Sequence, residues 1–198
     1  MFTGIVEQIG SVEKITTIGE NKNFVFSFNN PINLKIGDSI AINGVCLTLT
    51  AIEANQFSVT AVLETLQLTN LSLLKLGEKI NLETALIANR SMGGHYVQGH
   101  VDGMAEITEI IKTNDSWKCT FSCSVKLAKY IVKKGFITID GMSLTIVSSL
   151  EQSFSVVFIP HTIANTIVQF YQPHTFVNIE VDIMAKYIEK YLDARYTH

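Results

Sequence analysis

The sequence predicts an all-β protein with two homologous halves in tandem, each closed into a small barrel, followed by one C-terminal helix. Three observations support this fold class. One part of the chain repeats, short stretches alternate apolar and polar side chains as strands do, and the last residues have helical periodicity. The chain has 198 residues, 47% of them hydrophobic and 17% charged, which is enough for two buried cores.

The repeat sets the boundaries of the halves. SIAINGVCLTLT, from Ser39, matches FITIDGMSLTIV, from Phe136, without a gap at an offset of 97 residues. KINLETA near Lys79 resembles FVNIEVD near Phe176 with a small change of offset, and residues 3–6 lie more loosely on residues 99–102 at an offset of 96. We therefore divide the chain into an N-terminal barrel (1–89), a C-terminal barrel (90–182) and a terminal helix (183–198).

Within each half, the local pattern is that of strands joined by tight turns. Phe24, Phe26 and Phe28 alternate with other residues, which is the period of a strand. The pairs Asn43-Gly44 and Asp140-Gly141 predict type I′ hairpin turns, because both central residues of that turn need positive φ. Short helices are predicted at residues 125–132 and after Thr65 and Thr162.

The C-terminal segment is a predicted amphipathic helix without a counterpart in the first half. Its apolar side chains recur at helical spacing on one stripe, at Ile183, Met184, Tyr187, Ile188, Tyr191 and Leu192. From the pattern alone, this stripe packs either on the protein's own barrels or on partner subunits.

Composition and charge exclude several classes of function. A net charge of −3 and no dense basic stretch argue against a nucleic-acid partner. No apolar run approaches the ~18–20 residues of a membrane span, and no leader peptide is recognisable, so we expect a cytoplasmic protein. Cys46, Cys119 and Cys123 lack the spacing of a metal or disulfide framework, so no metal is expected.

Five stretches of the chain together resemble the riboflavin synthase family: MFTGIVE, GDSIAINGVCLTLT, GGHYVQGHVDG, KGFITIDGMSLTIV and VNIEVDIMAKYIEKYL. The resemblance covers essentially the whole chain. It implies two six-stranded Greek-key barrels and a C-terminal helix through which three chains assemble. It also implies an active site between the N-terminal barrel of one subunit and the C-terminal barrel of its neighbour.

The same resemblance implies a reaction. Two molecules of 6,7-dimethyl-8-ribityllumazine would be converted to riboflavin and 5-amino-6-(D-ribitylamino)uracil by transfer of a four-carbon unit, without a cofactor. Two similar pockets suit a reaction between two identical molecules, because holding both reactants removes their association entropy before the chemistry begins. The resemblance also makes lumazine synthase a candidate partner.

The resemblance implies residue roles as well. Those expected at the reacting centre are His100, Ser143, Asp182, Cys46, Ser39 and Phe2, with His100, Ser143 and Asp182 as candidates for the general base. The substrate-binding residues are expected to be Gly4, Ile5, Val6, Cys46, Leu47, Thr48, Thr60, Ala61, Val62, Leu63, Glu64, Thr65, Gly99, His100, Val101, Lys134, Ser143, Leu144, Thr145, Val157, Phe158, Ile159, Pro160, His161 and Thr162.

Several of these side chains also have structural interpretations. Asp182 directly precedes the terminal helix and is a good N-cap. Phe2 is either an exposed aromatic that closes over a flat ring or a core residue of the first strand. We expect Cys46, Thr48, Ser143 and Thr145 on the inner side of each barrel mouth, and we interpret His95 as structural.

Two other functions remain as alternatives. One is a non-catalytic lumazine- or flavin-binding antenna protein of the same superfamily, which keeps the barrels but not the second-barrel chemistry. The other is a β-barrel flavin-dependent oxidoreductase, which would need a phosphate-binding loop that the sequence does not offer.

Overall fold

In a computed structural model, which describes residues 1–30 and 34–196, the first half forms a closed antiparallel barrel of six strands. Around the barrel the order is β1-β2-β5-β4-β3-β6. β2 therefore neighbours β5 and not β3, which is a Greek-key connection. The strands are β1 (Gln8–Ile18), β2 (Asn21–Ser27), β3 (Ser39–Ile42), β4 (Val45–Glu53), β5 (Gln56–Ala61) and β6 (Lys79–Thr84).

The second half repeats this barrel with the same strand order, β7-β8-β11-β10-β9-β12. The prediction of two homologous six-stranded barrels is therefore confirmed. The strands are β7 (Gly103–Lys112), β8 (Trp117–Ser122), β9 (Phe136–Ile139), β10 (Met142–Ser149), β11 (Ser153–Phe158) and β12 (Phe176–Val181).

Short helices connect some of the strands. They are α1 (Leu63–Leu68), α2 (Val125–Ala128) and α3 (Pro160–Asn165), and short 3-10 turns follow α1 and α3 at Asn70–Leu73 and Ile167–Phe170. Helices α1 and α3 lie at matching places in the two halves. The predicted helix at 125–132 is too long, because after Ala128 the backbone turns back on itself with Tyr130 N–H donating to the Leu127 carbonyl.

The terminal helix α4 (Ile183–Tyr196) agrees with the prediction, except that residues 197 and 198 lie outside the described residues. Its apolar stripe remains largely exposed, and Tyr191 has 71% of its surface accessible. Lys186 pairs with Asp102 (2.5 Å), and Glu189 pairs with Lys129 and accepts a hydrogen bond from Tyr130 Oη, so ion pairs and a hydrogen bond hold the helix on the second barrel.

Each barrel has its own apolar core. In the first, the rings of Phe24 and Phe26 stack with centroids 5.5 Å apart, and Phe57 packs beside them. In the second, Phe121 stacks on Phe154 at 5.0 Å. Burial of this many aromatic rings supplies much of the hydrophobic stabilisation of each half.

The two hairpin turns meet where the barrels join, a region that we call the seam. Asn43 (φ 46°), Gly44 (77°), Asp140 (44°) and Gly141 (82°) all have positive φ, as the type I′ prediction requires. A Cβ on Gly44 would lie 2.6 Å from the Gly141 nitrogen, so only glycine allows the turns to approach this closely.

Reciprocal hydrogen bonds cross the seam. Asn81 Nδ2 donates to the Asp140 carbonyl at 2.9 Å, and Asn178 Nδ2 donates to the Asn43 carbonyl at 2.8 Å. Since Asn81 and Asn178 occupy the same place in the repeat, the halves are related by an approximate twofold axis. The buried Asp140 side chain accepts from Tyr171 Oη (2.6 Å) and from the Asn178 N–H (2.8 Å).

The structure corrects two details of the repeat. Asn81 and Asn178 make equivalent bonds at an offset of 97, so the small change of offset predicted for this strand is wrong. At the start of the halves, Gly4 corresponds to Gly99, at an offset of 95 and not 96, because both have positive φ and both contact the opposite hairpin. His100 is therefore the counterpart of Ile5.

No helix in the described part of the chain has the length and apolar character that a membrane crossing requires. Within residues 1–30 and 34–196, no cluster of three or more His, Cys, Asp or Glu side chains is arranged to hold a metal ion.

Candidate active site

Two extended segments, residues 2–7 and 97–102, run antiparallel through the seam, and we call them the crossing segments. Phe2 and Val97 pair through both of their backbone groups, with N···O distances of 2.7 and 3.2 Å. The Gly4 carbonyl accepts the Ser143 N–H (2.7 Å) on the second barrel, and the Gly99 carbonyl accepts the Cys46 N–H (2.9 Å) on the first. Each segment therefore belongs to one half but lies against the other.

Glycine is required at both contact points. A Cβ on Gly4 would lie 2.6 Å from the Ser143 Cβ, and one on Gly99 would lie 2.6 Å from the Cys46 Cβ. The valine that follows two residues later in each segment also contacts the opposite barrel. Val6 packs against the core of the second barrel, and Val101 packs against the core of the first. Close backbone approach and side-chain packing thus fix both segments on the opposite barrel.

The first pocket is the cavity between the N-terminal barrel and the second crossing segment. Its volume is about 210 Å³. It brings together three stretches that the sequence predicted as substrate-binding, and its lining is Val45, Cys46, Glu64, Thr65, Leu68, Thr69, Gly99, His100 and Val101. Larger cavities lie elsewhere, including one of about 530 Å³ beside Ser39, but they do not combine these three stretches.

The second pocket is the corresponding surface on the C-terminal barrel. Direct contact between Gly4 and Ser143 defines its centre. We expect the second pocket to be lined by the repeat equivalents of residues at the first pocket, which are Gly4, Ile5, Val6, Ser143, His161 and Thr162. Ile5 has 48% of its surface accessible, so this part of the crossing segment faces solvent.

The polar side chains of the two hairpins lie outside the barrels, which corrects their predicted location on the inner side of the barrel mouth. Leu47 is buried in the first core, whereas Cys46 is partly accessible and Thr48 is exposed. In the second barrel, Leu144 packs on the core and Thr145 is exposed. Successive strand residues point to opposite faces, so the apolar residue between two polar ones fills the core.

His95 contacts Ser143, a partner that could not be predicted from the sequence. His95 Nδ1 lies 2.6 Å from Ser143 Oγ, and Nε2 lies 3.3 Å from Thr138 Oγ1. The ring stacks on Phe136 at a centroid distance of 5.0 Å and is buried, with 8% of the residue accessible. Burial lowers the pKa of His95, while the nearby Asp182 carboxylate raises it.

The signal for His95 was already present in GGHYVQGH. Alternation along the extended segment puts His95, Val97 and Gly99 on the buried side, while His100 is exposed. The motif therefore places the two histidines at different sites. His95 lies behind Ser143, and His100 lines the first pocket.

The remaining candidates for the reacting centre, Asp182, Ser39 and Phe2, lie in three different structural environments. Asp182 Oδ1 accepts the Met184 N–H at 3.0 Å, so it caps α4 as the sequence suggested. Ser39 pairs with Thr48 across β3 and β4. Phe2 has 0% of its surface accessible and packs with Ala41 and Val97, so the expectation of an exposed aromatic ring is wrong.

Some of the predicted substrate-binding residues have side chains that are buried in the cores or bonded within the protein. The side chains of Leu47, Ala61 and Phe158 lie in the barrel cores, so only their backbone groups could reach a ligand. Thr60 Oγ1 donates to Asn23 Oδ1 at 2.8 Å. Lys134 is exposed and has positive φ (68°), and its backbone N–H donates to the Ile146 carbonyl (2.9 Å).

The duplicated barrels define this chain as a protein with two tandem lumazine-binding domains, and comparison with known proteins shows this. The model of the lumazine binding domain matches this chain twice, at residues 3–85 and 98–182. Two solved structures of LumP, complexed with riboflavin and with 6,7-dimethyl-8-(1'-D-ribityl) lumazine, superpose with TM-scores of 0.87 and 0.84 at 22% identity. Each covers 92% of this chain and 99–100% of the LumP chain, which shows a shared fold.

Sequence relatives narrow this class. The riboflavin synthase of Actinobacillus pleuropneumoniae is 44% identical over 193 residues, which are 97% of this chain and 90% of that protein. The riboflavin synthase of Bacillus subtilis is 42% identical with the same coverage, and that of Schizosaccharomyces pombe is 41% identical over 98% of this chain and 95% of the relative. The chain belongs to the riboflavin synthase family.

Proposed function

We propose that this protein converts two molecules of 6,7-dimethyl-8-ribityllumazine into riboflavin and 5-amino-6-(D-ribitylamino)uracil. Every atom of the two substrates appears in the two products, so the transfer of four carbons needs no oxidant, reductant or cofactor. The observation that carries the proposal is the reciprocal arrangement of the crossing segments, each of which places its glycine against the hairpin of the opposite barrel.

The spacing of the pockets favours a reacting pair held between two chains. Phe2 pairs with Val97, and the contact glycines Gly4 and Gly99 lie two residues beyond that pair in opposite directions. At about 3.3 Å per residue, they are roughly 13 Å apart, too far for two rings to react across one chain. We therefore propose a homotrimer in which the first pocket of one subunit faces the second pocket of its neighbour.

The accessible apolar stripe of α4 supports the role of residues 183–198 as the trimer contact. It includes Met184, Tyr187, Ile188, Tyr191 and Leu192. The segments 1–89 and 90–182 would then be the two lumazine-binding units. We further propose a cytoplasmic location, and we propose lumazine synthase as the partner to test in a binding assay.

The environment of His95 suits a proton acceptor. With its pKa lowered by burial, the ring is neutral near pH 7, so one ring nitrogen can accept a hydrogen bond. In the tautomer in which Nε2 donates to Thr138 Oγ1, Nδ1 accepts the Ser143 hydroxyl proton. We propose that Ser143, activated by His95, either adds to the lumazine ring at C7 or relays a proton from its 7-methyl group.

The first pocket offers different groups for its lumazine. His100 and Cys46 line it, and an imidazole and a thiol are both side chains that can transfer protons. The Glu64 carboxylate and the Thr65 hydroxyl at the start of α1 are suited to the ribityl hydroxyls. The roles of Ser39 and Asp182 at the reacting centre remain part of this proposal. Phe2 is fully buried between the two crossing segments and the first barrel, so a role for it at the reacting centre is not proposed.

One experiment tests the proposed function directly. The purified protein is incubated with 6,7-dimethyl-8-ribityllumazine alone, and riboflavin is followed by its absorbance and fluorescence. We expect one riboflavin for every two lumazines consumed. Stoichiometric binding of lumazine without riboflavin formation would instead identify an antenna protein, which the sequence relatives do not favour.

A further inference from the structure

Two buried carboxylates hold the backbone of the crossing segments. Glu83, on β6, is buried at the seam. Its Oε1 accepts from the Thr3 N–H (2.6 Å) and from Thr3 Oγ1 (2.8 Å), and its Oε2 accepts from the Gly4 N–H (3.1 Å). Because both oxygens accept, the contacts are those of an ionised carboxylate.

Glu180, on β12, occupies the same place in the repeat and does the same for the other segment. Its Oε1 accepts from the Gln98 N–H (2.7 Å), and its Oε2 accepts from the His100 N–H (2.9 Å). Burial raises the pKa of Glu180, and these backbone hydrogen bonds lower it. A buried charge is costly unless it is hydrogen-bonded, so each carboxylate strongly favours the geometry that satisfies it.

The far end of each crossing segment is fixed in the same way. Glu7 Oε1 accepts from the Thr84 N–H (3.1 Å), and Asp102 Oδ2 accepts from the Val181 N–H (3.0 Å). The last strand of each barrel thus holds its own crossing segment at two points. Between those points, the segment presents its glycine carbonyl and its valine side chain to the opposite barrel.

We propose that Glu83 and Glu180 are positioning residues, each of which sets the geometry of the pocket on the opposite barrel. Glu83 of the first barrel controls the second pocket through Gly4 and Ser143. Glu180 of the second barrel controls the first pocket through Gly99, His100 and Cys46. The inference rests on the proposed function for the identity of the ligand, but the crossed dependence can be measured without turnover.

Glutamine is the informative substitution, because it keeps the size of the side chain but not its acceptors. In Glu83→Gln, the amide has one oxygen for the donors of Thr3, and its NH₂ group then faces the Gly4 N–H. Two opposed donors repel each other, so the segment must shift. The same conflict arises in Glu180→Gln between the new NH₂ group and the N–H of Gln98 or His100.

The test uses the full-length protein and riboflavin, which cannot react further. Riboflavin is titrated while the backbone amide signals of Cys46 and Ser143 report the two pockets separately by NMR. We expect Glu83→Gln to weaken binding at the Ser143 pocket about tenfold and to leave the Cys46 pocket unchanged. Glu180→Gln should do the reverse. Tenfold corresponds to about 1.4 kcal/mol, the scale of one lost charge-assisted hydrogen bond.

Two further variants keep the test decisive if a glutamine variant does not fold. Thr3→Val removes only the hydroxyl donor to Glu83 and should weaken the Ser143 pocket about threefold. Glu83→Asp keeps the charge and should restore part of the binding that Glu83→Gln loses. The matched control is Glu78→Gln, since Glu78 Oε2 also accepts a backbone N–H, from Lys75 (3.0 Å), but in an exposed turn.

The inference requires that each glutamate variant weakens riboflavin binding at the pocket on the opposite barrel and not at the pocket on its own barrel. Weakening of the pocket on the same barrel, equal weakening of both pockets, or no weakening in any variant would overturn the inference. A wild-type protein that binds riboflavin in two pockets but forms none from lumazine would refute the proposed function while leaving this inference open to the same titration.

Discussion

The two pockets share a backbone framework but differ in their side chains. In both, a glycine carbonyl meets the first strand after the hairpin turn, at Cys46 in one case and at Ser143 in the other. The first pocket has His100 at its edge, where the second has Ile5. The second has His95 behind its serine, and the first crossing segment supplies no histidine. The duplication has therefore preserved hydrogen bonds of the backbone and changed the groups that can move protons.

This difference suits a reaction in which one lumazine gives and the other takes a four-carbon unit. Two identical pockets would activate both molecules alike, whereas a serine–histidine pair and a cysteine with a separate histidine give them different environments. The predictions below test whether the asymmetry is functional, beginning with the largest expected effect.

Removing the serine–histidine pair should have the largest effect. We expect Ser143→Ala and His95→Gln each to lower kcat for riboflavin formation about 10³-fold, because positioned proton transfer contributes roughly 10²–10⁴-fold. The double variant should be little worse than either single one, since the two groups act as a unit. Steady-state kinetics measure all three.

His174→Gln is the matched control, since His174 is exposed and pairs only at the surface with Glu106 (2.6 Å). Its kcat should equal that of the wild type. Additive losses in the double variant would mean that Ser143 and His95 act separately, and an unchanged kcat in both single variants would remove them from the mechanism.

The next effect concerns the pair at the centre of the seam, where one half has Phe2 and the other has Val97. Phe2→Ala should lower the free energy of unfolding by about 3 kcal/mol, because it removes a fully buried ring from an inter-barrel cluster. Val97→Ala removes fewer buried atoms and should cost about 1–2 kcal/mol. Denaturant unfolding measures both, and equal losses would contradict the packing described for Phe2.

The turns at the seam differ by one charge, since Asp140 stands where the first half has Asn43. Burial raises the pKa of Asp140 to about 7, against hydrogen bonds from Tyr171, Asn178 and Asn70 that lower it. The folded pKa is above the unfolded value of about 3.9, so this group makes stability fall as pH rises from about 4 to 7. Asp140→Asn, which makes the turns alike, should remove that contribution.

The measurement is the free energy of unfolding between pH 5 and pH 8. A single such group contributes at most about 1.4 kcal/mol per pH unit. Burial also raises the pKa values of Glu83 and Glu180, so part of the slope should persist in the variant. Identical slopes for the wild type and Asp140→Asn would show that Asp140 is ionised throughout this range.

The smallest effect separates the two roles of Asp182, which has Ala85 as its counterpart in the first half. Asp182→Ala should cost about 1 kcal/mol of stability through loss of the helix cap, and Asp182→Asn should cost little, because asparagine also caps. A fall of kcat in Asp182→Asn at unchanged stability would assign the charge a role in catalysis. An unchanged kcat would leave only the cap.

The barrels could be predicted because their signals are local. Alternating Phe24 and Phe26, the Asn43-Gly44 turn and the ungapped repeat at Ser39 each depend on neighbours in sequence. The crossing segments could not be predicted in the same way. Their register is set by contacts such as Gly4 with Ser143, 139 residues apart, and an error of one residue assigned His100 to the wrong counterpart.

Part of the candidate site could also be predicted from local sequence motifs. The stretches around Cys46, Glu64 and His100 carry recognisable motifs, and they come together in one pocket. The contacts of His95 and Glu180 could not be predicted, because their partners come from distant parts of the chain. A recurring glutamate at an offset of 97 was visible in the sequence, but only the folded backbone shows that it accepts N–H groups of a segment about 80 residues away.

The stretch from His95 to His100 also limits how this chain can change in length. Five steps along one extended strand place one imidazole behind Ser143 and the other in the first pocket. An inserted residue would displace one ring by about 3.3 Å and turn it to the opposite side of the strand. Insertions or deletions between these histidines should therefore displace a side chain from its site, whereas the exposed turn at Gly19 and Glu20 should tolerate a change in length.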